Sequence, residues 1–240
     1  MIRDIGRVTI ELSNRCQMAR EHVKCPLHAH SGPSSHLPMS VVRKVLNELG
    51  EEFSGRMAFH NYSEPLVDPR LFLALGEALK RCPRARVFIM TNCWALDQTI
   101  LDELAEYNVV QVEATGYSAA EIERIGALRI PANIEFKIAR RPGLDDRLKQ
   151  YDSEPTPPGR PEFNTCDAPL GEIIIRHTGV VGLCCFDWAN SVTFGNVAHE
   201  KLDRIIAKPE FVETHEALLR GERLHPVCQR CGVGRAEKGK

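Results

Sequence analysis

The first two-thirds of the chain alternates short apolar runs with longer segments whose apolar positions recur at helical spacing. The runs predict strands over Arg7–Leu12, Arg56–Asn61, Arg86–Met90, Val109–Glu113 and Asn133–Ile138. Between them, Ser40–Leu49, Pro69–Lys80, Leu96–Tyr107 and Ala119–Ala127 carry helical periodicity. In the first of these helices Val41, Val42, Val45, Leu46 and Leu49 fall on one face, with Met39-Ser40 expected to cap its start. Strict alternation of five strands with four helices implies an α/β fold: a parallel sheet with right-handed crossovers, curved as an open, partial TIM-like barrel. Such folds place their chemistry at the C-terminal ends of the strands. There lie a cysteine loop after Leu12, Tyr62-Ser63-Glu64-Pro65, Thr91-Asn92, Thr115-Gly116 and Arg140-Arg141.

Around residues 142–165 the pattern changes. Pro155, Pro157, Pro158, Gly159 and Pro161 among charged residues read as a linker or a substrate-facing loop. Beyond it, Glu172–Arg176 and Val180–Leu183 flank His177-Thr178-Gly179 as a β-hairpin ending at Cys184-Cys185. A single helix is expected over Lys201–Arg220, before Cys228-Gln-Arg-Cys231. The expected division is a barrel over residues 1–150, then a linker and small C-terminal unit over residues 151–240. No internal repeat or low-complexity tract interrupts it.

Composition narrows the function classes. Lys plus Arg (31) nearly balance Asp plus Glu (32), so no nucleic-acid footprint is expected. No apolar run reaches membrane-spanning length, and early charges argue against a signal peptide, so a cytoplasmic protein is expected. Disulfides are disfavoured in that compartment, and nine cysteines there point to metal, redox or catalytic work. Cys82 and Cys93, each alone among apolar or small residues, read as core thiols.

The remaining cysteines fall into two sets. Cys228 and Cys231 form a C-x2-C pair, whose turn directs two thiolates to one centre, and Cys166 and the Cys184-Cys185 pair can complete four sulfur ligands. Zinc and an iron–sulfur cluster both satisfy this pattern. In the N-terminal loop Cys16 and Cys25 are nine apart, so a third ligand must come from His22, His28, His30 or elsewhere. A histidine in a loop is most often merely solvated, and imidazole ligates clusters far less often than thiolate.

A strand ending in Asn14-Arg15-Cys16, a loop closed by Cys25-Pro26, then Glu64-Pro65 and Thr91-Asn92 at strand ends resemble the radical S-adenosylmethionine superfamily. The four C-terminal cysteines resemble its SPASM/twitch branch, which carries an auxiliary 4Fe–4S cluster in a small domain after the barrel. The likeness runs nearly end to end and includes Phe59–Leu66, Pro83–Arg86 and Phe194-Gly195-Asn196. It implies two 4Fe–4S clusters and S-adenosylmethionine as cofactors, with a small-molecule substrate and a flavodoxin or ferredoxin as electron donor. Tyr62, Ser63, Glu64, Pro65, Thr91 and Asn92 then fall at the cofactor, with Glu64 facing its amino group; Ser63 and Cys93 stand where glycine is usual. Arg141 is the candidate for substrate contact, with Arg160 competing, and spacing favours Cys184 over Cys185 beside Cys166, Cys228 and Cys231.

The family's cluster loop is C-x3-C-x2-C. Anchoring Cys25-Pro26 as its third position gives Cys16, His22 and Cys25, a longer C-x5-H-x2-C loop with Lys24 in place of an aromatic residue. Anchoring Cys25 in the middle gives C-x8-C-x2-H with His28 instead; the first reading is preferred because it keeps Cys-Pro together. The resemblance implies a dehydrogenase that oxidises a secondary alcohol of a polyol, aminocyclitol or amino sugar in secondary metabolism, antibiotic biosynthesis included. Hydrogen abstraction by a 5′-deoxyadenosyl radical would give a carbon radical, loss of its hydroxyl proton a ketyl, and a fully ligated auxiliary cluster would accept the electron. A peptide-modifying or epimerising enzyme of the same branch and a non-catalytic cluster-binding homologue remain alternatives. The first strand begins near Arg7, which counts against an N-terminal peptide-recognition domain.

Overall fold

The computed structural model describes residues 5–19, 25–29, 33–140, 166, 169 and 171–231. Its frame is a single eight-stranded sheet. The strands are β1 (Arg7–Ile10), β2 (Arg56–Ala58), β3 (Arg86–Thr91), β4 (Val109–Gly116), β5 (Glu135–Arg140), β6 (Glu172–Ile175), β7 (Val180–Gly182) and β8 (Thr193–Asn196). In space they run β5-β4-β3-β2-β1-β6-β7-β8, so β5 and β8 form open edges. β1 to β6 are mutually parallel, and β7 and β8 extend the sheet antiparallel. The alternating pattern therefore predicts the five-strand core of the sheet correctly.

Period-two alternation splits each strand between two environments. Val8, Ile10, Met57, Phe59, Val87, Ile89, Val112 and Ala114 are buried in the hydrophobic core. Over them pack α2 (Met39–Leu49), through Val42, Val45, Leu46 and Leu49, and α3 (Leu71–Arg81), through Leu71, Ala74, Leu75 and Ala78. Each of the Val, Leu, Ile, Met and Phe side chains contributes roughly 1.5–3 kcal/mol on leaving water, and the alanines less. The alternate positions are polar and bond to one another. Thr9 Oγ1 donates to Glu172 Oε1 (3.0 Å), Arg56 donates to Gln111 Oε1 (2.8 Å), and the Arg56 guanidinium lies 4.3 Å from the Phe88 ring centre.

Three expectations need correction. The helix expected over Lys201–Arg220 is two helices, Leu202–Ile206 and Pro209–Leu219. Pro209 has no N–H to continue the first, and it suits the first turn of the second. Met39 and Ser40 lie inside α2; its cap is Pro38, with no side-chain hydrogen bond. β8 lacks a long apolar run and escaped the sequence pattern, yet it pairs with β7 through Val180↔Asn196 and Val181↔Gly195. The C-terminal hairpin is also joined to the barrel, because β6 pairs with β1 from Arg7↔Glu172 to Ile10↔Ile175. The boundary expected near residue 150 lies outside the described residues.

Candidate cofactor and cluster sites

A cleft with a cavity volume of about 120 Å³ opens where the parallel strands end. Cys16, Cys25, Tyr62, Ser63, Glu64, Thr91 and Asn92, all expected from sequence, line it. Its organising group is Glu64, which is 4% exposed. Glu64 accepts hydrogen bonds from Thr91 Oγ1 (2.6 Å), the Asn92 amide (2.7 Å) and the Leu66 amide (3.2 Å). Burial nevertheless holds its carboxyl above the ordinary range, against these bonds. Pro65 opens a 3₁₀ turn, Pro65–Val67, and is buried away from the cleft wall.

Asn92 joins this network to the cysteine loop. Its Oδ1 accepts from Gln17 Nε2 (2.8 Å), and its Nδ2 lies 3.6 Å from Cys16 Sγ. Burial pushes the Cys16 thiol up to about 11, with the Glu64 and Cys25 charges acting in the same direction. Cys93 adopts a positive φ of 56°, a backbone shape glycine accepts without strain, which accounts for the glycine usual at this place. His22, His30, Arg141 and Arg160 lie outside the described residues. Cys25 precedes a short helix, Pro26–Ala29, that carries His28.

The second cysteine set converges as expected. Cys166, Cys184, Cys228 and Cys231 line one small cavity of about 20 Å³, with Leu183, Leu218 and Val227. Cys184 follows the β7 hairpin strand. Cys228 lies in a short helix, Pro226–Arg230, and the Cys231 amide closes its turn onto Val227 and Cys228 carbonyls. The Cys166 amide bonds to Leu218 O (3.3 Å), tying that ligand candidate to the helix Pro209–Leu219. Burial pushes Cys228 up to about 12 and raises Cys184 further. Cys185 lies off this cavity, and its charged neighbours are Glu172, Arg7 and Arg176.

Between the two sites runs a buried polar bridge that the sequence pattern did not single out. Tyr62, on the cleft wall, donates its hydroxyl to the Cys185 carbonyl (2.7 Å). Arg176 donates to the Tyr62 hydroxyl (3.0 Å) and to Asp187 O (2.9 Å). Glu11, 2% exposed, accepts from the Tyr62 amide (3.0 Å) and faces His177 Nδ1 at 3.0 Å. Burial would raise the Glu11 carboxyl, but the His177 hydrogen bond and the Arg176 charge hold it below the ordinary range. His60, Asn61, Glu113 and Tyr117 also line the cleft. The polar positions alternating with Val8, Ile10 and Val112 were the available signal for Glu11 and Glu113.

Comparison with known proteins adds independent observations. Residues 166–232 match the SPASM model, an iron–sulfur cluster-binding domain. The S-adenosyl-L-methionine-dependent 2-deoxy-scyllo-inosamine dehydrogenase of Niallia circulans is 22% identical over 238 residues, covering 93% of this chain and 91% of the relative. The crystal structure of BtrN in complex with AdoMet and 2-DOIA superposes with a TM-score of 0.79 at 21% identity, over 95% of this chain and 93% of that one. AdoMet-bound anSMEcpe superposes with a TM-score of 0.58 at 12% identity, over 96% and 91% of the two chains. Residues 166–232 therefore match an iron–sulfur cluster-binding domain, and the chain as a whole shares the fold of these solved structures.

Proposed function

We propose that this protein is a radical S-adenosylmethionine dehydrogenase that oxidises a secondary alcohol of a polyol, aminocyclitol or amino sugar to a ketone in secondary metabolism. The observation that carries this is the pairing of a polar cleft at the strand ends with a four-cysteine cavity joined to it by Tyr62. The similar dehydrogenase of Niallia circulans supplies the substrate class.

The residues present fit the implied groups. Four thiols on one cavity suit a fully ligated auxiliary 4Fe–4S cluster, with Cys184 rather than Cys185 as the fourth ligand. The hydroxyl, amide and carboxylate groups of Thr91, Asn92 and Glu64 beside Cys16 and Cys25 suit the amino-acid end of S-adenosylmethionine. For the first cluster the proposed ligands are Cys16, His22 and Cys25, on loop spacing, and Arg141 is proposed to contact substrate. The bound clusters and S-adenosylmethionine would supply one-electron chemistry that removes a carbon-bound hydrogen. The chain's own part is positional: Glu64 orders the Thr91-Asn92 wall, and Tyr62 holds the Cys184-Cys185 turn against the cleft.

In the balanced reaction the alcohol loses one hydrogen atom, one proton and one electron. With those groups bound, the hydrogen atom would end in 5′-deoxyadenosine, the proton in solvent, and the electron would be taken up by a cluster held by Cys166, Cys184, Cys228 and Cys231. We infer a flavodoxin or ferredoxin as electron donor and a cytoplasmic setting. All nine cysteines are free, and among the described residues no helix is long and apolar enough to cross a membrane. We retain residues 1–150 as the barrel and residues 151–240 as linker and auxiliary unit. The test is product analysis after anaerobic reconstitution with 2-deoxy-scyllo-inosamine: a ketone formed with one 5′-deoxyadenosine per turnover supports the reading. An epimer at the original oxidation level contradicts it.

A further inference from the structure

We infer that Glu113 and His60 form a substrate-reading pair in the cleft that selects a polyol bearing a protonated amine. This rests on the cleft being the substrate site of the proposed dehydrogenase. Glu113 lies on β4 and lines the cleft half-buried. Among the described residues it makes no hydrogen bond and no ion pair. The cation opposite it in the strand register is Lys137, and that ammonium sits on Glu135 instead, at 2.9 Å.

The other acids of this side of the sheet are already answered. Glu64 accepts three hydrogen bonds, Glu11 is held by His177 and the Tyr62 amide, and Glu172 meets Arg7 at 3.3 Å and Thr9 at 3.0 Å. The cations are committed as well: Arg56 bonds Gln111 and Arg176 bonds Tyr62 and Asp187. A ligand entering here meets an uncompensated carboxylate and no uncommitted arginine among these residues. A partly desolvated carboxylate gains most from a charge-assisted bond to an ammonium.

His60 supplies the second, independent observation. It lines the same cleft, is 7% exposed, and its Nδ1 has no hydrogen-bond partner. Burial, with the Arg7 charge, lowers its pKa to about 4, so the ring is neutral and able to bond a hydroxyl. The adjacent Asn61 Nδ2 is likewise buried without a partner. Glu113 offers the carboxylate for an amine, and His60 and Asn61, whose Nδ1 and Nδ2 are buried, would meet the flanking hydroxyls by turning toward the cleft they line.

The experiment is equilibrium titration of the anaerobic holoprotein, with S-adenosylmethionine bound, using 2-deoxy-scyllo-inosamine and the analogue whose amine is replaced by hydroxyl. Wild type should bind the amine at least about tenfold tighter. Glu113→Gln should abolish that preference while holding the hydroxyl analogue within about twofold, and His60→Asn should weaken both ligands in parallel. Equal loss of both ligands in Glu113→Gln, no loss, or a loss of S-adenosylmethionine affinity instead would overturn the assignment. A selective loss in Glu113→Gln without any ketone from wild type would keep the amine site and reject the dehydrogenase.

Discussion

The hydroxyl of Tyr62 and the carbonyl of Cys185, 123 residues apart in sequence, meet at 2.7 Å beneath the Arg176 guanidinium, which lies 4.4 Å from the tyrosine ring centre. This contact places a wall of the cleft directly against the turn that presents Cys184. The geometry of the two sites is therefore set by one buried bond network rather than by two independent loops.

Tyr62→Phe removes that bond and leaves the Cys185 carbonyl without this donor. The expected cost is about 1–3 kcal/mol, because a buried acceptor that loses its partner forfeits its desolvation cost. For a chain of this size each 1 kcal/mol lowers Tm by about 2–4 °C. Thermal unfolding of the variant at unchanged Tm would show that the bridge carries no stability.

Glu11 makes stability depend on pH in a definite direction. Its folded-state value lies below the ordinary 4.5, so the ionised carboxylate stabilises the fold fully above that pH. The contribution is lost as pH falls from there toward the lowered value. Denaturant titrations should show wild type more stable than Glu11→Gln at neutral pH, with the gap narrowing below about 4.5. A gap that widens on acidification would contradict this.

Neighbouring cysteines should behave differently. Because Cys184 lines the four-thiol cavity and Cys185 does not, Cys184→Ser should lose about half of the roughly eight irons expected for two four-iron clusters. Cys185→Ser should keep them, as measured by iron and sulfide content after anaerobic reconstitution. The reverse result would exchange the two roles.

The third ligand of the first cluster rests on spacing alone. His22→Ala should lose that cluster, and His22→Cys should retain it at a lower potential, since thiolate in place of imidazole makes the centre more negative. Redox titration followed by electron paramagnetic resonance reads both. If His28→Ala loses the signal and His22→Ala does not, His28 takes the role.

The sequence made the sheet readable because parallel strands buried under helices are near-continuous apolar runs, as at Val87–Ile89. Glu64, Thr91 and Asn92 were readable because they sit where such strands end. The bridge was not. Glu11, Arg176 and His177 are polar residues whose partners lie up to 166 positions away, and no local pattern encodes that pairing. β8 escaped for a related reason: Thr193–Asn196 holds one fully apolar side chain, Phe194, and its strand form depends on pairing with β7. The split helix was legible in principle, since Pro209 announces a new first turn.

The central claim is hydrogen abstraction from a carbinol carbon followed by loss of one electron. It is tested most directly with 2-deoxy-scyllo-inosamine deuterated at the carbon to be oxidised, incubated with reconstituted protein, S-adenosylmethionine and reductant. The account predicts one deuterium in each 5′-deoxyadenosine and one ketone per S-adenosylmethionine consumed. Ketone formed with the deuterium released to solvent, or S-adenosylmethionine left intact while ketone accumulates, would contradict it.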